Sequence, residues 1–185
     1  HDGNDASLRL IPRLSHLRSL NLQRGSYKAL SALSSMPAGH PLKRFELRNV
    51  TFAAEQIEPL FRAAALRSIS FHQVRLSPDL GPLIAAHSGS LVAYWSNACG
   101  GLEREGFAAF ANLKNVRSAM LWGSDVRDED LRHIGQMSNL TTNQLGSNWG
   151  LTGATLDQLA GLTKLRHLSL YGTKVKDDGL TRLPL

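Results

Sequence analysis

The sequence predicts an α/β repeat protein in which stacked strand–helix units share one core. Three observations carry the prediction. A six-residue apolar pattern, L-x-x-L-x-L, recurs seven times, with first positions at 17, 42, 66, 91, 116, 140 and 165. The spacing never departs from 24 or 25 residues, and a fixed period of this length marks a solenoid. Leucine supplies 32 of the 185 residues, while aromatic residues make up only 6%.

The strand half of each unit is read from alternation. Leu20 and Leu22 open the series, followed by Phe45 and Leu47, Ile69 and Phe71, Tyr94 and Ser96, Ala119 and Leu121, Asn143 and Leu145, and Leu168 and Leu170. Apolar residues two apart face one side of a strand. Strands are therefore expected to start near residues 18, 43, 67, 92, 117, 141 and 166. The other half reads as a short capped helix, with apolar residues about three apart after an Asp, Ser or Thr. Helices are expected near residues 58, 108, 132, 157 and 180. Neither half can bury its apolar face alone, so units must stack. The ninth position holds Gly25, Val50, Val74, Cys99, Ser124, Asn148 and Thr173, all suited to a tight interior corner. Cys99 is read as one of these buried corners and not as a reactive thiol.

The pattern resembles the leucine-rich repeat family, in the short bacterial-type form with units of 24–25 residues, over almost the whole chain. Leu165 to Leu183 fits the unit L-x-x-L-x-L-x-x-T-x-V-x-D-x-G-L-x-x-L nearly throughout. The resemblance implies a curved horseshoe, with a parallel sheet on the concave face and short helices on the convex face. Residues 1–185 then form one domain of about seven repeats. Asp5 to Leu14 matches the helix half of a unit, and the chain stops inside another at Leu183-Pro184-Leu185. It is read as an excerpt of a longer protein, cut within a repeat at both ends.

Chemistry is scarce. There is no phosphate-binding loop, no G-x-S-x-G and no H-E-x-x-H. A single cysteine excludes an internal disulfide and a zinc set built on paired cysteines. Asp125, Asp128, Glu129 and Asp130 read as a helix N-terminus and not as a metal site. No catalytic residue, metal or cofactor is expected, and no run is long enough to span a membrane. A cytoplasmic location follows as the expectation.

Positions 3, 5 and 7 of each unit point away from the core, so they form the binding surface that the horseshoe implies. Position 5 holds Trp95 and Met120, and position 7 holds Arg48, His72, Trp122 and Tyr171. Trp149 follows the sixth strand on the same rim. One register is ambiguous: sliding the fourth unit by one residue would bury Trp95 and Asn97 and expose Tyr94 and Ser96. The phase of the other units favours an exposed Trp95. Clustered exposed aromatics are typical of protein-binding hot spots. Residues 1–92 carry net charge +5 and residues 93–185 net +1, which places a basic end at Arg44, Arg48 and His72, with Glu46 between them. Position 2 adds Arg18, Lys43, Arg67, Arg117 and Arg166, read as a solvated edge.

The expected function is a protein-recognition module, and the resemblance implies that it belongs to a larger bacterial signalling, effector or defence protein. It would bind an acidic or amphipathic protein partner on the concave face and work beside other domains of its parent. A structural spacer is the alternative. Nucleic-acid binding is disfavoured, because the aromatic and basic regions do not coincide.

Overall fold

The computed structural model describes residues 8–26 and 28–183. Within them lie seven strands: β1 (Ser19–Ser26), β2 (Arg44–Thr51), β3 (Ser68–His72), β4 (Ala93–Asn97), β5 (Ser118–Trp122), β6 (Thr142–Gln144) and β7 (His167–Ser169). Each begins one residue after its expected start. All pair in parallel, in the order of the chain, to form one open sheet. The register advances by one repeat at every step: Leu20 faces Phe45, Phe45 faces Ile69, and Ile69 faces Tyr94.

The return segments are α-helical at Ala54–Ala63, Leu80–Ala86, Glu103–Ala108, Leu131–Ile134 and Asp177–Leu180. Elsewhere they tighten into 3-10 turns, as at Lys28–Ser35, Ala109–Asn112 and Leu156–Gly161. The segments at Lys28–Ser35 and Leu80–Ala86 were outside the expected set, and that near residue 157 is 3-10 and not α. Caps are local. Gln56 accepts a hydrogen bond from the Ala53 N–H at 2.8 Å, and Asp130 accepts one from the Arg127 N–H at 2.9 Å.

Sheet and helices enclose one continuous apolar core. Leu47, Phe71, Leu121 and Leu145 are fully buried in it. The fourth-unit register is the one the repeat phase favours: Tyr94 and Ser96 are buried and Trp95 is 38% exposed. The Tyr94 ring packs edge-on against Phe110 at 5.0 Å, and the small Ala119 stands opposite it on β5. Leu170, expected to be buried, is only partly so, because β7 has a neighbour on one side only among the described residues.

Two features of the core are unusual. Asn143 is fully buried, yet both its amide atoms lack a hydrogen-bond partner among the described residues. The second feature is the turn after each strand. Position 8 is left-handed in all seven units, with φ of 53° at Arg24, 52° at Asn49, 51° at Gln73, 51° at Ala98, 54° at Gly123, 56° at Ser147 and 68° at Gly172. This turn swings the chain inward and delivers position 9 to the interior, where Val50, Val74, Cys99, Ser124 and Asn148 are buried.

Asn148 shows what the corner does. Its Oδ1 accepts from the N–H groups of Ser124 and Val126 at 2.9 and 3.0 Å. Its Nδ2 donates to the carbonyls of Leu121 and Leu145 at 2.6 and 2.8 Å. One side chain thus ties the exit loops of two repeats together. Ser124 extends the link by donating to the Ser96 carbonyl at 2.9 Å.

Two stability changes follow. Asn143→Leu restores the repeat's apolar slot and removes two orphaned polar atoms, so chemical denaturation should show a gain of about 1–3 kcal/mol. Ala98→Gly relieves a left-handed conformation that has no side-chain compensation. It should add about 1 kcal/mol, the strain relief outweighing the entropy of the added glycine. A loss of stability in either variant would contradict the corresponding structural reading.

Candidate functional site

The sheet's outer face is built by the same alternation that fills the core. In β4 and β5, burial alternates along the strand, with Tyr94, Ser96, Ala119 and Leu121 turned inward. Trp95, Met120 and Trp122 are consequently turned outward. Trp95 lies opposite Met120, and Met120 lies opposite Gln144, while Trp122 lies opposite Asn97.

Within the aromatic cluster of this face, the ring pair that forms is between Trp122 and Tyr171. Trp122 stacks on Tyr171, with ring centroids 5.9 Å apart and an interplanar angle of 23°. These residues belong to the fifth and seventh units, two strand steps or about 9.6 Å apart. The gap is bridged because the sixth unit carries Gly146 at the same position. A Cβ on Gly146 would stand 2.5 Å from the Trp122 ring, so the indole lies directly over the glycine backbone. Tyr171 stays 75% exposed. Trp95 and Trp149 make no ring pair among the described residues, although Trp149 is 74% exposed beside Asn148. Gly146 was missed at the sequence level. Its signal was a glycine at position 7 between an indole and a phenol in the flanking units.

The basic end is weaker than the sequence suggests. Arg48 donates to Glu46 at 2.8 Å, and His72 Nε2 lies 3.6 Å from the same carboxylate oxygen. Burial, and after it the Arg48 charge, hold the His72 imidazole below its ordinary range against the pull of Glu46. His72 is therefore neutral at pH 7, and Arg48 and Glu46 cancel. Arg44 remains as an exposed cation without an ion pair among the described residues.

The acids near the fifth exit loop are engaged in structure. Asp128 accepts from the Thr152 hydroxyl at 2.5 Å and from the Gly153 N–H at 3.1 Å, clasping the next repeat. Glu129 pairs with Arg104 at 2.7 Å. Asp130 is buried as the helix cap, and its desolvation raises its pKa. Cys99 is buried, its thiol 3.3 Å from the Asn97 carbonyl. No helix among the described residues is long and apolar enough to cross a membrane.

No protein-family model matches the chain, and no curated protein matches it. Solved structures do. An internalin, InlF of Listeria monocytogenes, aligns over 86% of this chain and 49% of its own, with a TM-score of 0.57 and 21% identity. The chain thus spans about half the length of that protein. The plant peptide hormone receptor RGFR1, solved in complex with RGF2, aligns over 94% of this chain and 36% of its own at 16% identity, with a TM-score of 0.47. The second likeness is too low to carry an argument. The parallel ladder, the inward apolar columns and the likeness to the internalin agree: this chain has the leucine-rich-repeat fold.

Proposed function

We propose that the chain is a protein-recognition module that binds a partner segment on its concave face, centred on Trp122 and Tyr171. The supporting observation is the stacked pair itself. Two large aromatic side chains lie across a glycine on the outer face of the sheet, where the core does not use them. Exposed aromatics held rigid lose little entropy on binding, which is the character of a hot spot. Trp95 and Met120 extend the apolar surface on β4 and β5. Gln144 and Asn97 supply amides at its margin. Trp149 forms an outlying contact on the exit rim.

The partner's anchoring segment is apolar or amphipathic. Glu46 cancels Arg48 and His72 is neutral, so only Arg44 would steer an acidic group into the concavity. In this reading the module is the non-enzymatic docking arm of a larger cytoplasmic protein of bacterial signalling or defence. That assignment rests on fold analogy. A spacer would have no use for a stacked aromatic pair on its open face.

The test is selection of a displayed random-peptide library on the whole chain, followed by titration of the enriched peptides. Trp122→Ala should weaken binding by at least about 2 kcal/mol, or roughly thirtyfold. Its melting curve should stay near that of the parent, because no core volume is lost. Gly146→Ala is the sharper variant. It leaves every contacting residue in place but drives a methyl group into the indole, so it should break the stack with Tyr171 and lose roughly tenfold in affinity. Peptides that bind both variants as well as the parent would remove the concave reading.

A further inference from the structure

We propose that the strand-entry edge of the solenoid is a second binding surface, which takes an acidic peptide segment of a protein partner. It is separate from the concave aromatic pair and does not rest on that reading. The turns leading into β2, β3, β4, β5 and β6 together form one open groove of about 440 Å³. Lys43, Arg67 and Arg117 line it, with Val92 and Asn115 between them and no carboxylate among the lining residues.

The cations here are uncommitted. Arg67 and Arg117 are exposed and form no ion pair among the described residues. The same holds for Arg18 and Arg166, which extend the column at either end. Lys43 has only a long hydrogen bond, 3.4 Å, to the Ala65 carbonyl. Acidic residues are segregated from this edge. Apart from Glu46 on the concave face, the described carboxylates, from Glu55 to Asp178, all lie in exit loops and return helices. A five-residue strand separates the two edges by about 17 Å. That exceeds the screening length of about 8 Å at physiological salt, so the far acids do little to offset the edge potential.

The groove's frame is already fixed. Ser90 donates to the Leu66 carbonyl at 2.7 Å, Asn115 to Gly89 at 2.9 Å and Asn139 to Lys114 at 2.8 Å. Each of these bonds joins one entry turn to its neighbour. A ligand therefore meets an ordered floor flanked by long cationic side chains.

The spacing selects the ligand. Lys43 and Arg117 are three strand steps apart, about 14 Å. An extended peptide presents side chains on one face about 6.8 Å apart, so acids at alternate positions over five residues cover that span. Val92 interrupts the cationic column and offers a small apolar floor beneath the middle of the segment. Guanidinium groups pair with carboxylates through two parallel hydrogen bonds. A single-stranded nucleic acid is the poorer fit, because no aromatic residue lines the groove to stack on its bases.

The experiment uses the whole chain and three fluorescent probes: a short oligoglutamate peptide, its oligoglutamine counterpart and a single-stranded oligonucleotide. Oligoglutamate should bind, and its affinity should fall steadily with added sodium chloride. Oligoglutamine should not bind. Arg67→Gln with Arg117→Gln should lose at least about tenfold in affinity for oligoglutamate. Arg117→Lys, which keeps the charge but loses the paired guanidinium bonds, should bind more weakly than the parent and more tightly than Arg117→Gln. Arg132→Gln on the helical side and Trp122→Ala in the concavity should each change it by less than about twofold. Undiminished binding by the double variant overturns the proposal. So does equal loss in Arg132→Gln, or tighter binding of the oligonucleotide than of oligoglutamate.

Discussion

A unit of 24 or 25 residues holds one short strand and one short return segment, and it cannot cover its own apolar face. Only the next unit can. This requirement fixes which positions turn inward and, through the alternation of a strand, which positions are left outside. It also explains why the ladder keeps its register from Leu20 to Leu168. A slip of one residue in any unit would carry a complete set of apolar side chains into solvent. The outward face is thus a by-product of core packing: whatever occupies positions 3, 5 and 7 is displayed, at strand spacing, on the sheet.

The exit turn makes the stacking possible. A left-handed residue at position 8 turns the chain so that position 9 falls inside, and Asn148 shows how a polar residue survives there. Its amide satisfies both donors and acceptors of the exit loops, so burial costs it little. Asn143 is the counterexample, buried at position 4 where no backbone group is exposed to receive it. The same side chain is stabilising at one position and costly at another, because only corners leave backbone groups unpaired.

Phase made the fold legible from sequence, down to the orientation of Trp95 against Tyr94. The position-9 column was legible as well, because its residues share small size. The left-handed turn was not, since Arg24, Gln73 and Ala98 carry no glycine signature and adopt the conformation only because the repeat demands it. The aromatic site was half legible. Trp122 and Tyr171 could be placed outside, but their mutual contact depended on Gly146, and a glycine is conspicuous only when read across neighbouring units. Glu46 was visible between Arg48 and His72, whereas its pairing with Arg48 and the neutral state of His72 required geometry.

Charge shows most clearly how direction of reading matters. Summed along the chain, the halves differ by only a few charges, and the net value of +6 is modest. Summed by position within the repeat, the molecule is polarised across its width. The strand-entry edge holds cations without carboxylates, whereas the exit loops and return helices hold both signs. The acids have a local reason for their placement, since Asp128, Asp130 and Glu129 clasp or cap neighbouring segments. Arg67 and Arg117 have no such structural employment. Side chains that stabilise nothing internal can still set how a charged partner approaches, because a one-sided field orients it before contact. A partner aligned along this edge would lie across the strands, parallel to the solenoid axis and about one strand length from the aromatic pair, which stands at the exit end of β5 and β7.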